Sequence, residues 1–315
     1  MQENSLPLVS IVACCLNSER YLPRMIESVL EQNYPQLELF IQDGGSRDGS
    51  LEIIQRYPVR WASEKDQGIS QALNRAISAS QGEIIGFTGS DDKLQPGAVS
   101  AAAEAFTVFP ETVMVYGDCL LTNEDGIAYK YWKSRPLNMD RLFWENFIPF
   151  QTVYLYRQAL LEVGGFDETM RMAQDYDLWV RLGAHYPAER FRYIPKVLGS
   201  YQMRFNSAGW SNLRDTALGH QKTARVFLEN PSAVAKLKKG KAKAGAGACI
   251  MTAGLYALTK DKKSAWSFYF KALRQYPGLI CTKHGVSVLL KMVIPQRAWR
   301  FYKKRQQHKR VVEIE

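Results

Sequence analysis

Histidine and cysteine are scarce in this sequence, with four and five copies in 315 residues. His185, His220, His284 and His308 are scattered, and no Cys/His cluster has zinc-site spacing, so a structural zinc is excluded. Cys14 and Cys15 are adjacent, and none of the cysteines shows the spacing of a disulfide framework, which fits a reducing cytoplasm. Met1–Pro7 is polar and lacks the apolar core of a secretory signal. The apolar stretch 286–294 is interrupted by Ser287 and Lys291 and is far short of the roughly 20 residues that cross a bilayer. No GxGxxG follows the first apolar run, which disfavours a dehydrogenase. That position reads Cys14-Cys15-Leu16-Asn17-Ser18-Glu19, without the Gly-rich basic loop a nucleotidyltransferase would want.

What is present suffices for a full core: 46% hydrophobic and 12% aromatic residues, as one large α/β domain or one domain plus an extension. The net charge of +10 is uneven. Of the 41 Lys and Arg residues, 19 lie between Val234 and Glu315, with only 3 acidic residues among them. An acidic domain (1–230) therefore carries a strongly basic helical extension (231–315), a charge pattern suited to anionic lipid or nucleic acid.

The first half alternates strand and helix. Val9–Leu16, Leu37–Gln42, Val59–Ala62 and Glu83–Thr88 read as strands; Glu19–Gln32, Gly49–Tyr57 and Ile69–Ser80 read as helices. Such alternation implies parallel strands joined by right-handed crossovers, with ligands beyond the carboxyl ends of the strands. Those ends carry Asn17, Asp43, Asp66 and Asp91-Asp92, so four polar clusters line one rim. Further on, Val113–Cys119 reads as a strand and Tyr176–Ala184 as a helix. Lys222–Glu229, Ala244–Leu258, Ser264–Arg274 and Val286–Ile294 also read as helices. The low-complexity stretch 236–247 (KLKKGKAKAGAG) reads as a link between parts.

Three motifs carry chemistry. Asp91-Asp92 follows an apolar strand, where two adjacent carboxylates repel unless a divalent cation or a solvated helix cap explains them. Hard oxygen ligands suit Mg2+ or Mn2+, which stabilises charge on a departing diphosphate. In Asp43-Gly44-Gly45-Ser46-Arg47-Asp48-Gly49-Ser50, glycines permit a tight turn close to a ligand and Asp43 can accept from a base or ribose, while Asp48 or Ser50 caps the next helix. In Gln174-Asp175-Tyr176-Asp177, two acids stand near a helix start, either as dipole partners or with one acting as general base.

Taken together, the chain resembles the family-2 glycosyltransferases of the GT-A fold, over roughly residues 8–205. The resemblance runs through Val9-Ser10-Ile11-Val12 with Asn17 and Glu19, Ser28–Pro35, and Glu38–Ser46. It continues through Ser63–Ile69, Ala72-Leu73-Asn74, Gly82–Phe87 and Ser90-Asp91-Asp92. It ends with Tyr156-Arg157, Gly164–Glu168 and Asp175–Arg181. It implies a nucleotide-binding Rossmann-like sheet and an inverting hexosyltransferase that moves a sugar from a nucleotide diphosphate donor to a saccharide or lipid-linked acceptor. The setting it implies is bacterial surface polysaccharide or glycolipid synthesis. The backbone around Cys14 and Leu16 would hold the base, with Asn17 and Glu19 in the same donor-binding segment. Asp43 and Asp66 would contact base and ribose. Asp92 with Asp91 would hold the metal and reach the donor ribose or diphosphate, Asp91 counting among the donor-binding residues, and Asp175 would be the general base, with Asp177 orienting the helix. Arg204 stands where relatives carry a histidine, and is taken as a clamp on the diphosphate. Gln174 stands where an acid often precedes the base. A dead transferase fold serving as a binding protein is the competing class, and the intact Asp43, Asp92 and Asp175 argue against it.

In the tail, Arg297, Arg300, Lys303, Lys304 and Arg305 interleave with Trp299, Phe301 and Tyr302. This mixture suits the anionic inner face of a membrane, or else a solvated helix packed on the domain; no motif for reading nucleic acid is seen. The expected location is cytoplasmic, at the inner face of the cell membrane. Trp132, Trp144 and Trp210 are the aromatic candidates for a sugar face, Trp132 being better suited to packing.

Overall fold

In a computed structural model, residues 6–204, 207 and 211–294 are described. The apolar runs of the first half form parallel strands β1 (Val9–Cys15), β2 (Leu37–Asp43), β3 (Arg60–Ser63) and β4 (Ile84–Gly89), in the order β3-β2-β1-β4. Alternate side chains of β1 enter different cores, Val12 one and Val9, Ile11 and Ala13 the other, because a strand presents opposite faces in turn. Helices α1 (Leu22–Leu30), α2 (Ser50–Ile54) and α3 (Ile69–Ala79) connect the strands. Helix α1 starts three residues later than the spacing suggested. Pro23 occupies its first turn, where a missing N–H costs nothing.

The sheet then continues as β4-β8-β6-β9-β5 and becomes mixed. Its members are β5 (Lys93–Leu94), β6 (Met114–Thr122), β8 (Tyr154–Tyr156) and β9 (Phe191–Gln202), with β7 (Ala128–Trp132) pairing on β6. Strand β9 contains Pro195, which a regular ladder does not accommodate. The pairing slips there: Ile194 faces Gly117, Val197 faces Asp118 and Gly199 faces Cys119. Helices α4 (Ala98–Val108), α5 (Met139–Leu142), α6 (Arg157–Glu162) and α7 (Gln174–His185) complete this part.

The C-terminal part is helical, with α8 (Leu213–Glu229), α9 (Pro231–Val234), α10 (Gly240–Tyr256), α11 (Lys262–Gln275) and α12 (Lys283–Val293). The stretch 236–247, expected as a link, enters helix α10 instead. Both carboxylate oxygens of Asp140 accept main-chain N–H groups just before it, from Lys238 and Lys239, each at 2.9 Å. A Cβ on Gly247 would sit 2.8 Å from the carbonyl oxygen of Phe143 and from the Trp144 ring, so glycine lets α10 press onto that segment. Ala233, Leu237, Ala244 and Ala248 belong to the same core cluster as Phe143 and Trp179, so packing runs on across residue 230. Among the described residues no helix is long and apolar enough to cross a membrane. Trp210, His308 and the basic aromatic tail from Arg297 to Arg305 lie outside the described residues.

Candidate active site

Because β1 to β4 run parallel, their carboxyl ends share one edge, and β1 lies between β2 and β4 where the chain order reverses. Ligands of open α/β sheets bind at such switch points. Register puts Cys14 beside Gln42 and Gly89, Cys15 beside Asp43, and Asp43 beside Ser63.

The loops here are cross-tied. Asn17 adopts a left-handed φ of 51°; its N–H donates to Ser46 Oγ at 2.8 Å and its Oδ1 accepts Arg47 N–H at 2.9 Å. Glu19 accepts the N–H of Gly49 at 2.8 Å, and its own N–H donates to Asp48 at 3.1 Å. Ser18 donates its N–H to Ser50 Oγ at 2.8 Å, and its Oγ lies 2.8 Å from Ser90 Oγ. Asn17 and Glu19 thus brace the loop of β2 against that of β1, while Leu16 is exposed at the rim.

Asp43 is 1% exposed. It accepts Gly45 N–H at 3.0 Å, Ser46 N–H at 3.1 Å and Ser63 Oγ at 2.6 Å, with Cys15 Sγ at 3.4 Å and the Ser46 hydroxyl in addition. Burial works against its charge, but these donors hold the carboxyl below the usual range. Its visible task is to shape the Asp43–Ser46 turn. Asp66 is the acid left facing the rim. It accepts Gly68 N–H at 2.9 Å, and its other oxygen lies only 2.5 Å from where a Cβ on Gly44 would be. Burial, then the charge of Asp66 and more weakly that of Asp91, pushes the Cys14 thiol up to about 12, which makes it a neutral wall and not a nucleophile.

At the end of β4 the two carboxylates differ. Asp92 is 5% exposed, and its Oδ1 accepts the main-chain N–H of Gln202 at 2.9 Å. Burial first and then the charge of Asp91 push its carboxyl well above the usual range. Asp91 Oδ2 takes Arg204, whose Nε donates at 2.8 Å and whose Nη2 donates as well; the guanidinium lies 4.2 Å over the Tyr21 ring. The expected diphosphate clamp is therefore an ion-pair partner of Asp91 in this structure. Asp92 Oδ2 and Asp91 Oδ1 both face the space where Gly89 has no Cβ. A Cβ there would stand 2.7 Å from the first and 3.2 Å from the second. Two converging carboxylate oxygens fit a hard cation that takes its other ligands from phosphate and water. Among the described residues no group of three or more His, Cys, Asp and Glu side chains forms a cage by itself.

Asp175 and Asp177 stand in the first turn of α7, after Ala173 with its left-handed φ of 64°. They separate cleanly. Asp177 accepts Arg181 Nε at 2.7 Å and Thr223 Oγ1 at 2.8 Å. Arg181 also donates to the carbonyl oxygens of Val163 at 2.7 Å and Gly165 at 2.8 Å, fastening the glycine turn to α7. Among the described residues, Asp175 has Asn146 Nδ2 at 3.4 Å as its side-chain donor. Burial raises its carboxyl above the usual range, against the N–H groups at the helix start and Asn146. His220 lies against Tyr176, next in sequence to Asp175, with ring centroids 4.4 Å apart and tilted by 51°, and burial lowers the imidazole to about 4.

Tyr201 links the two halves of the site. Burial raises its phenol, and so do the charges of Asp92, Asp91 and Asp175, so its hydroxyl lies in the field of the strand-end pair and of the helix acid together. Sequence reasoning gave no role to Tyr201, Gln202, Asn146 or Gly89, although Tyr201 and Gln202 shortly precede Arg204 and Gly89 opens the segment of the acidic pair.

Comparison with known proteins agrees with this geometry. Residues 10–165 match the family described as Glycosyl transferase family 2. The chain is 30% identical over 197 residues to a chondroitin synthase of Escherichia coli, covering 61% of this chain and 28% of that protein. It is 30% identical over 205 residues to a hyaluronan synthase of Pasteurella multocida, covering 62% and 20% respectively. It thus spans about a quarter or less of these two relatives. A PGL/p-HBAD biosynthesis glycosyltransferase of Mycobacterium tuberculosis is 28% identical over 202 residues, 62% of this chain and 77% of that one. In fold, the chain resembles S. aureus TarS 1-349 in complex with UDP-GlcNAc, with a TM-score of 0.61 at 14% identity, covering 98% of this chain and 95% of that one. It also resembles the mannosyltransferase PcManGT from Pyrobaculum calidifontis in complex with GDP-Man and Mn2+, with a TM-score of 0.62 at 17% identity, covering 96% and 86%.

Proposed function

This chain belongs to glycosyl transferase family 2 and has its GT-A fold, and on that premise we propose that it is an inverting, metal-dependent hexosyltransferase. It would move a sugar from a nucleotide diphosphate to an acceptor hydroxyl in polysaccharide or glycolipid assembly. The observation that carries this reading is the opening above Gly89, on which Asp92 Oδ2 and Asp91 Oδ1 converge, and the charges of these two acids and of Asp175 all act on the Tyr201 phenol. The relatives' names, two polysaccharide synthases and a glycolipid-type glycosyltransferase, favour the same product class.

The nucleotide enters over β1, its base against the backbone of Cys14 and Leu16 and its ribose side toward Asp66. Asp43, Asn17 and Glu19 act through the shape of the loops. Asp92 with Asp91 would hold Mg2+ or Mn2+, which when bound offsets the charge gathering on the leaving diphosphate. Arg204 keeps Asp91 in place and adds positive charge beside that group. Asp175 accepts the proton of the acceptor hydroxyl. The acceptor oxygen forms its bond to the anomeric carbon as the bond to phosphate breaks, and that electron pair leaves with the diphosphate. A single in-line displacement inverts the centre.

The basic extension would dock the enzyme on the inner leaflet, where lipid-linked acceptors are presented. Exposed Val286, Leu290 and Val293 recur at helical spacing on α12, next in sequence to the basic tail. Nucleic acid is not an expected partner.

Thermal stabilisation by a panel of nucleotide sugars with Mn2+ names the donor. Transfer by Asp92→Ala and Asp175→Asn then tests the roles; retained transfer in both variants overturns the assignment.

A further inference from the structure

A second cavity, away from the strand-end carboxylates, lies where α5 meets the C-terminal helices. Its volume is about 680 Å³. The half-buried rings of Trp144 and Tyr276 meet edge to face at 6.1 Å on its wall. Cations surround them: Arg135, Arg141, Lys239, Lys243 and His284.

These cations are not equivalent. Glu145 pairs with Arg141 at 2.5 Å and with His284 at 3.7 Å, and these partners, His284 foremost, hold its carboxyl down to about 2. Arg135, Lys239 and Lys243 take part in none of the ion pairs among the described residues. The Lys243 ammonium lies 4.9 Å over the Tyr276 ring. The one acid on the wall, Asp140, directs both oxygens at the main-chain N–H groups of Lys238 and Lys239. The cavity therefore offers two half-buried aromatic rings beside three cations, Arg135, Lys239 and Lys243, that form no ion pair among the described residues. Aromatic faces pack against the C–H face of a sugar ring, and lysine and arginine bind phosphate or carboxylate.

The cavity is also wired to the candidate base. Trp144 is on its wall, Glu145 is the anchor of Arg141 and His284, and Asn146 donates to Asp175 at 3.4 Å. One short segment thus carries a wall of the cavity and a hydrogen-bond donor to the proposed general base.

We propose that this cavity is an acceptor subsite for an anionic saccharide, with a sugar ring on Trp144 and Tyr276 and its phosphate or carboxylate held by Lys239, Lys243 and Arg135. The inference rests on the transferase reading for the word acceptor, and on the cavity alone for the ligand class. It gives the basic start of α10 a task separate from membrane attachment.

The test is calorimetric titration of the full chain with cellobiose, cellobiouronic acid and cellobiose 1-phosphate at low salt. At least one of the two charged disaccharides should bind about tenfold or more tighter than cellobiose, and the preferred one tells carboxylate from phosphate. The double variant Lys239→Ala with Lys243→Ala, the first exposed and the second half-buried over the Tyr276 ring, should lose that advantage and keep the wild-type far-UV circular dichroism. Trp144→Phe should weaken all saccharide binding and preserve the salt dependence. Equal affinity for neutral and charged disaccharides overturns the proposal. So does a double-lysine variant that binds like the wild type. Inorganic phosphate binding as tightly as cellobiose 1-phosphate overturns the saccharide part. UDP and GDP titrations with Mn2+ run in parallel. Their failure to bind sinks the transferase reading, whereas normal nucleotide binding without charged-disaccharide binding sinks only the subsite.

Discussion

The main-chain N–H of Gln202 donates to Oδ1 of Asp92 at 2.9 Å, tying together two strand ends 110 residues apart in sequence. That bond fixes one carboxylate oxygen and leaves the other aimed at the space over Gly89. It also makes two substitutions at Asp92 behave differently.

Asp92→Asn keeps an oxygen for Gln202 and should fold normally, yet lose about 10–100-fold in Mn2+-dependent binding of a nucleoside diphosphate. Asp92→Ala should lose the same binding and also leave a buried N–H unpaired, at a cost of about 1–3 kcal/mol. Calorimetry with UDP and GDP, beside melting curves, separates the two effects. Equal metal response in wild type and Asp92→Asn would remove Asp92 as a ligand.

Gly89→Ala places a methyl group 2.7 Å from Asp92 Oδ2 and 3.2 Å from Asp91 Oδ1. The carboxylates must move aside. Far-UV circular dichroism should be unchanged and metal-dependent nucleotide binding should fall; unaltered binding would show that the opening is not used.

Asp175→Asn should retain donor affinity and lose about 10²–10⁴-fold in transfer, the usual worth of a general base. In the wild type the proton is held above the ordinary carboxylate value of 3.8, so the acid limb of the rate profile should lie above that pH. The stability effect has the opposite sense to a salt-bridged acid. The folded state binds the proton more tightly than the unfolded one, so ionised Asp175 costs stability above this window and the cost disappears as pH falls through it. Asp175→Asn should therefore melt higher than wild type at neutral pH and converge with it in acid.

His220 should act in the other direction. Its imidazole is lowered from 6.5 to about 4 by burial. The unfolded chain takes up the proton first, so stability present above pH 6.5 is lost as pH falls toward about 4, by about 3 kcal/mol in total. His220→Phe removes this slope; a melting-temperature profile unchanged between wild type and variant would contradict it.

For the membrane, the full chain should pellet with anionic vesicles at low salt and be released as salt rises, because headgroup attraction is screened. Failure to pellet at low salt removes the docking proposal.

The four strand-end clusters were legible because each parallel strand announces itself locally, as an apolar run followed by a polar turn. Strand β9 was not, since Pro195 and Gly199 weaken it locally and its partner β6 is distant in sequence. Helix α4 escaped because its run of alanines has little contrast between faces. The partner chosen by Arg204 depends on a contact across 113 residues, which no local pattern encodes. The stretch 236–247 read as a link because its glycines and lysines mimic one. In place, Gly245 and Gly247 let α10 approach Gln275 and Trp144 closely. Asp43 was legible as a special residue but not as a loop organiser, because the Ser63 hydroxyl that occupies it comes from the neighbouring strand.

The register along β9 is a matter of parity, with two extra residues at Pro195 and Lys196 and one more at Leu198. Tyr193 pairs with Tyr116 and Tyr201 with Leu121, an even number of steps apart in β9 but an odd number in β6. Side chains alternate along a strand, so the slip lets one strand serve two faces. Tyr193 bonds to Asp118 at 2.9 Å on one side, while Tyr201 stands with the acids on the other. Deleting one residue between Ile194 and Val197 would reverse that phase for everything downstream. Tyr201, the Gln202 N–H and the start of the Arg204 segment would turn away together, so the length of this bulge acts as a counting device for the site.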